Sequence, residues 1–199
     1  MVSDELVRRL QTGVGKLHEE GLQAVLLGGP VPHIAGTVPL QQDDEIGYVF
    51  AGNERLWSVV STGPGRMSTV VCITDDLDIA VQSLIEFSRL ERRTETPLRL
   101  IQKMIWDIQR AGFWCVVSVD GFIKVSTVEA EPMEWPDDFM ELACSREKKY
   151  PMATIDFTDD HWTIVVTFDQ SQHSSKRLQS SGVETIARMV IDELTRGKA

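Results

Sequence analysis

Two stretches of the chain repeat one pattern that decides the predicted fold: residues 11–25 read QTGVGKLHEEGLQAV and residues 102–116 read QKMIWDIQRAGFWCV. A shift of 91 residues aligns them without a gap and places Gly21 on Gly112 and Val25 on Val116. In each stretch, apolar residues at helical spacing lead to a glycine suited to end a helix, and a buried strand is predicted to follow. The repeated element indicates two diverged copies of one unit.

The segments that follow extend the repeat. In the first copy, strands are predicted over 46–50, 57–61 and 66–73, and a helix then begins after Asp76 and reaches about Leu90. If the turn before Trp162 is two residues shorter than the turn before Trp57, the matching pairs are Tyr48 with Ile155, Phe50 with Phe157, Trp57 with Trp162 and Ile79 with Ile186. The alternative to duplication is that the apolar residues of the two halves have the same spacing by chance.

The fold class expected from a duplication is α+β. It consists of two α-β-β-β-α units, over residues 1–93 and 94–199, with antiparallel sheets that are covered by helices and pack as one compact unit. The copies are expected to differ in their additions. The first has a long loop over Pro30–Glu45, whereas the second has a hairpin over Trp114–Ala130 and a short helix over Pro136–Lys148.

The composition narrows the class of partner and the compartment. Thirty acidic residues against twenty basic ones give a formal charge of −10, which repels phosphate backbones and disfavours nucleic acid. Three widely spaced cysteines favour reduced thiols in the cytoplasm. The longest apolar runs are about six residues, far short of the roughly 20 that span a bilayer, and the N-terminal sequence has no apolar signal region. We therefore expect a cytoplasmic protein without a membrane partner.

No local motif predicts catalysis, a cofactor or a metal. Gly15 and Lys16 superficially resemble a phosphate-binding loop, but Leu17 stands where the loop needs Ser or Thr. The common hydrolase, zinc and dinucleotide signatures are absent from the sequence. The densest group of potential ligands or acid–base residues is expected to form a hairpin turn: Asp156, Asp159, Asp160 and His161. We expect no enzyme, and an enzyme without a local motif remains the third alternative.

Two polar segments are the candidate partner interface, because folding explains them least. The Pro30–Glu45 segment contains His33, which is a candidate contact residue, and the three consecutive acids Asp43, Asp44 and Glu45. The Glu131–Asp138 segment places Trp135 among Glu134, Asp137 and Asp138. An exposed tryptophan ringed by acids can anchor an interface. The alternative is that Trp135 packs down as a hydrophobic staple of the helix after Asp137.

Four short stretches of the chain resemble a known family: Gly47-Tyr48-Val49-Phe50, Trp57-Ser58-Val59, Arg66 and Asp76–Leu84. They are similar to a pattern found in immunity proteins that neutralise secreted polymorphic toxins. In that pattern, a strand, a turn, Trp-x-Val, an arginine and a strand precede an Asp-x-x-x-Ala helix. The segment Trp106–Gly121, which is predicted to pass from a helix into a strand, also resembles these immunity proteins. These families include antitoxins of NAD-hydrolysing necrotising toxins. The resemblance implies stoichiometric inhibition of a cognate toxin, in which a loop plugs the active cleft and acids pair with basic residues.

A small acidic secretion chaperone is the alternative function. Such proteins also combine helices with an antiparallel sheet, and they hold an effector segment on an apolar face. A neighbouring toxin gene favours the immunity function, whereas a neighbouring effector or secretion gene favours the chaperone.

Overall fold

A computed structural model of the chain describes residues 4–28, 32–37, 45–51, 57–63, 67–74, 76–127, 149–168 and 175–197. The chain divides into two compact units, Met1–Arg89 and Leu90–Ala199. Within the described residues, four helices and antiparallel sheets give the mixed α+β fold expected from the sequence. No helix in this part of the chain is both long enough and apolar enough to cross a bilayer.

The first unit contains one helix, five strands and most of a second helix. Its sheet is an antiparallel meander in the order β1-β2-β3-β4-β5. The elements are α1 (Asp4–Glu19), β1 (Gln23–Leu27), β2 (His33–Thr37), β3 (Glu45–Ala51), β4 (Trp57–Gly63), β5 (Met67–Thr74) and α2 (Leu77–Thr94).

The second unit has the same order of elements after the end of α2. Its sheet is also an antiparallel meander, from edge strand β6 to edge strand β10. The elements are α3 (Leu98–Arg110), β6 (Trp114–Val117), β7 (Ile123–Thr127), β8 (Lys149–Thr158), β9 (His161–Thr167), β10 (Ser175–Ser180) and α4 (Val183–Arg196).

The junction between the first helix and the first strand is built in the same way in both units. Gly21 and Gly112 have φ angles of +77° and +83°, which L side chains rarely adopt. This conformation lets the next amide reach back to the helix, so Leu22 N donates to Leu17 O at 2.9 Å and Phe113 N donates to Ile108 O at 3.4 Å. These bonds satisfy carbonyls that the helix end would otherwise leave open.

A side chain from the last turn of each helix reinforces the junction. His18 donates through Nε2 to the Ala24 carbonyl at 2.8 Å, and Gln109 donates through Nε2 to the Cys115 carbonyl, also at 2.8 Å. The shift of 91 residues relates both the donors and the acceptors. His18 is exposed, so its ring reaches the β1 backbone from the solvated side of α1.

Each unit has its own apolar core. In the first, α1 packs on β1 and β2, and a Cβ at Gly13 would lie 2.9 Å from Ile34 Cδ1 and 3.2 Å from Val81 Cγ2. The glycine therefore sets how closely α1 approaches the sheet. In the second, α3 packs on β6 and α4, and α4 packs on β8 and β9. There the buried Trp162 meets Phe157 edge to face, with ring centroids 5.5 Å apart.

The predicted long loop over Pro30–Glu45 is wrong, because the chain forms β2 at His33–Thr37. Strand β2 pairs with β1 on one side and β3 on the other. Its centre is held by Ile34, which is fully buried under α1. Each unit therefore has five strands instead of three, and the β6–β7 hairpin is no addition to the second unit, since β1–β2 is its counterpart. The predicted helix over 136–148 lies outside the described residues.

Two of the residue pairs expected from the repeat are displaced by one position. The ladders carry the match of Val25 with Val116 through β2 and β7 to Tyr48 and Thr154, so Tyr48 and Phe50 match Thr154 and Asp156 instead of Ile155 and Phe157. Ala51 then matches Phe157, and the residues opposite them, Trp57 and Trp162, lie at corresponding positions. Between these facing residues, the second unit has one residue fewer than the first, not two.

The closing helices show a similar displacement. Ile79 is 42 % exposed while Ile186 is fully buried, so a shift of 107 does not match their buried faces. A shift of 106 matches four pairs of buried residues: Leu77 with Val183, Ala80 with Ile186, Val81 with Ala187 and Leu84 with Val190.

Burial predicts that two of the three cysteines are unreactive in the native protein. Cys72 and Cys115 are free and buried, and burial raises the pKa of each thiol above its ordinary value. The thiolate is the reactive form, so a disulfide-exchange reagent should label neither residue until the chain is unfolded. Peptide mass mapping after labelling measures this for each cysteine. Rapid labelling of Cys115 in the folded protein would contradict the buried position of β6.

Candidate functional site

The predicted interface residues fall into two connections of the fold. His33 lies in β2, and Glu45 is the first residue of β3, although its side chain is outside the described part. The other six also lie outside the described residues: Asp43, Asp44, Glu134, Trp135, Asp137 and Asp138. In the chain, the first segment joins β2 to β3 and the second joins β7 to β8. Both therefore join the second strand of a unit to its third.

A break in strand pairing precedes each of these connections. The β2–β3 ladder shifts register between Gly36 and Thr37, and the β7–β8 ladder shifts between Ser126 and Thr127. In both cases the shift comes immediately before the last residue of the strand. Bulges of this kind end regular pairing and redirect the chain, and they occur often beside functional sites. Both connections thus follow an irregularity at the end of a paired strand.

Exposed and half-buried side chains of the β1–β2 hairpin form an apolar surface. On β1, Val25 is 56 % exposed and Leu27 is 40 % exposed, whereas Leu22 and Ala24 are buried. Residues directly opposite each other in a ladder share one face of the sheet, and Val25 lies opposite Ala35 while Leu27 lies opposite His33. We call Val25, Leu27, His33 and Ala35 the hairpin patch. It lies on the face of the sheet away from α1.

His33 belongs to this patch and not to an exposed loop. It was expected to be a contact residue in the long loop, but its backbone pairs with Leu27 and Phe50 and its side chain is half-buried. The alternation of half-buried His33, buried Ile34 and half-buried Ala35 is that of a strand with one face on the core. If His33 contacts a partner, the contact is therefore made from the strand surface beside Leu27.

The corresponding surface of the second unit is covered. Val116, which the shift of 91 residues places on Val25, is only 5 % exposed. Both valines lie on the first strand of a five-stranded meander that follows a helix and a positive-φ glycine. The same residue type at the same place in the topology is therefore open in one unit and closed in the other. Val25 and Leu27 were not predicted as site residues, because apolar strand residues are ordinarily buried.

The Asp156 group has the geometry of a hairpin turn. Asp159 and Asp160 have φ angles of +53° and +61°, and they connect β8 to β9. Asp156 accepts a hydrogen bond from Thr158 Oγ1 at 3.1 Å and lies 3.5 Å from Arg93 Nη2, while His161 Nδ1 donates to the Asp159 carbonyl at 2.6 Å. These side chains serve the turn and its neighbours. Within the described ranges, no three His, Cys, Asp or Glu residues are grouped as metal ligands.

This turn predicts a stabilising substitution. Asp160 holds a left-handed backbone conformation that glycine adopts without a steric penalty. Asp160→Gly should raise the free energy of unfolding by about 0.5–1 kcal/mol, measured by urea denaturation. Asp192→Gly, in the exposed part of helix α4, is the control and should lower it by a similar amount. A marked loss of stability in Asp160→Gly would show that the carboxylate has a further role.

The described residues therefore place the hairpin patch on one face of the β1–β2 hairpin, and the two acidic connections follow β2 and β7, the second strand of each unit. No protein-family model, curated protein or solved structure matches the chain.

Proposed function

We propose that the chain is a non-catalytic, cytoplasmic binding protein that holds one cognate protein partner. The observation that carries this proposal is the contrast between Val25 and Val116: one is 56 % exposed and the other 5 % exposed at equivalent places. Exposed apolar surface costs free energy in water, at about 25 cal/mol per Å². A surface that is closed in one unit and left open in the other is suited to be closed by a partner.

The equivalence of the two places rests on a second part of the proposal, namely that the units arose by duplication. Three features support it: the shared order of helix, five strands and helix, the matched helix-to-strand junctions, and the register shifts at the end of each second strand. The displaced pairs in β3 and α2 both correspond to a shift of 106 residues instead of 107.

The charge of the chain indicates what kind of partner fits. The connection over 128–148 contains seven acidic and two basic residues, and the end of the first connection contributes Asp43, Asp44 and Glu45. A basic partner would be steered towards these segments at long range, and apolar side chains would then dock on the hairpin patch. The expected interface therefore combines apolar contacts on the hairpin patch with charged contacts to the acidic segments.

The resemblance to immunity proteins indicates what this binding would achieve. In that case the partner is a secreted toxin, and the acidic connections block its catalytic cleft by stoichiometric inhibition. Neither metal nor cofactor is required of the chain, because inhibition depends only on occupying the cleft. Trp135, with acids on both sides in the sequence, is the residue proposed to anchor the second connection in the complex.

A secretion chaperone is the second candidate, and the hairpin patch favours it. An effector segment held on an apolar sheet face would contact Val25 and Leu27 and would need little from the acidic connections. The two candidates therefore assign the binding energy to different residues. Variants of the patch and of the connections separate them.

The experiment begins with capture of the partner from the native host, followed by an assay of its activity with and without the chain. Trp135→Ala should then lower the affinity by on the order of 2 kcal/mol. Reversing the charges of Asp43, Asp44 and Glu45 together should chiefly slow association, and this effect should weaken as salt is added. Leu27→Ser should weaken binding by roughly tenfold through loss of apolar contact. Val165→Ser is the control, since Val165 is an exposed valine, 37 % accessible, on β9 of the second unit.

Three outcomes decide between the candidates once thermal melting shows that the variants are folded. Inhibition of the partner's activity, with losses in the Trp135 and triple variants, supports the immunity function. Loss confined to Leu27→Ser, with no inhibition, supports the chaperone. Unchanged binding in all three would place the interface elsewhere and overturn the proposed surface.

A further inference from the structure

The edge of the first sheet is a second feature of β1, separate from the hairpin patch on its face. Strand β1 ends the order β1-β2-β3-β4-β5, so no described strand pairs with its outer side. An edge strand offers backbone donors and acceptors to any other extended chain. Proteins usually protect such edges with charged residues, prolines or bulges, and the residues Gln-Ala-Val-Leu-Leu of β1 include neither charge nor proline. The β1–β2 ladder also runs without a register shift.

The other edges differ from β1 in ways that limit pairing. Strand β10 is exposed but carries Lys176 and Arg177. Strand β5 is buried over Thr69–Cys72, and strand β6 is buried over Cys115–Val117. Among the described edges, β1 is thus the one that combines exposed apolar side chains with an uncharged strand.

We propose that two copies of the chain pair antiparallel along β1, with Val25 of one copy opposite Val25 of the other across a two-fold axis. In this register Gln23 lies opposite Leu27 and Ala24 lies opposite Leu26, so every facing pair is uncharged. The strand is therefore compatible with itself even though each chain carries a net charge of −10. A two-fold axis uses the same surface on both copies and closes the assembly at a dimer, so neither copy retains a free β1 edge.

The hydrogen bond from His18 to the Ala24 carbonyl does not prevent this pairing. A carbonyl oxygen has two lone pairs, so a partner strand can share this oxygen with the imidazole. On one continuous face of the joined sheets, the side chain of Val25 would lie beside Val25 of the other copy, and that of Leu27 beside Gln23 of the other copy. The pairing goes beyond the proposed function and needs no knowledge of the cognate partner.

Sedimentation of the purified full-length chain over a range of concentrations tests the proposal. We expect a species of twice the 22.4 kDa chain mass that dissociates on dilution and is favoured by added salt, which screens the repulsion between acidic copies. Val25→Lys places two lysines opposite each other and should raise the dimer dissociation constant by at least about tenfold. Val165→Lys makes the same change at an exposed valine of central strand β9 and should leave the dimer intact.

A second variant keeps the proposal testable if Val25→Lys fails to fold. Directly opposite residues of antiparallel strands have Cα atoms roughly 4.5–5.5 Å apart, within the range of a disulfide. In a Cys144→Ser background, Val25→Cys should form a crosslinked dimer with oxidised glutathione, and Val165→Cys should not. The proposal is overturned if the wild-type chain sediments at 22.4 kDa at every concentration. A dimer that tolerates Val25→Lys and gives no Val25→Cys crosslink would overturn it equally.

Discussion

The structure of each unit depends on a left-handed glycine at the end of its first helix. Gly21 and Gly112 turn the chain so that the following amide bonds back to the helix and the next residues enter a strand beneath it. Any other L residue at that φ costs about 1–2 kcal/mol. The side chains of His18 and Gln109 then tie the strand to the helix. This junction places the first strand of the meander, and the later strands pair one after another from that strand.

The two units use this common frame differently. Strand β6 is buried along most of its length, whereas β1 leaves Val25 and Leu27 open to water. Both sheets lose regular pairing just before the connection from the second strand to the third, and both connections carry acidic residues in the sequence. A rigid sheet with long acidic connections and one open apolar face is suited to binding a protein, since loops on a fixed scaffold commonly supply recognition.

The sequence predicts the parts of the fold that local chemistry determines. Helical spacing, the two glycines and the Asp159-Asp160 turn each gave elements that the structure contains. Strand β2 could not be predicted in this way, because Pro32, His33 and Gly36 favour a loop and only Ile34 marks a core position. Pairing with β1 and β3 overrides these local preferences. The exposure of Val25 could not be predicted either. Val116 is also a valine in the same sequence setting, and only the three-dimensional surroundings distinguish the two residues. The interface residues remain predictions, because all of them except His33 have side chains outside the described part.

The most direct test of the matched junctions is denaturant unfolding of Gly21→Ala and Gly112→Ala. A Cβ at either glycine would meet no atom within 4 Å, so the only cost is that of the positive φ. Each substitution should lower the free energy of unfolding of its unit by about 1–2 kcal/mol, and the two costs should agree within about 0.5 kcal/mol. No loss of stability in one of the variants would show that its helix does not end in this conformation, and it would contradict a shared junction in the two units.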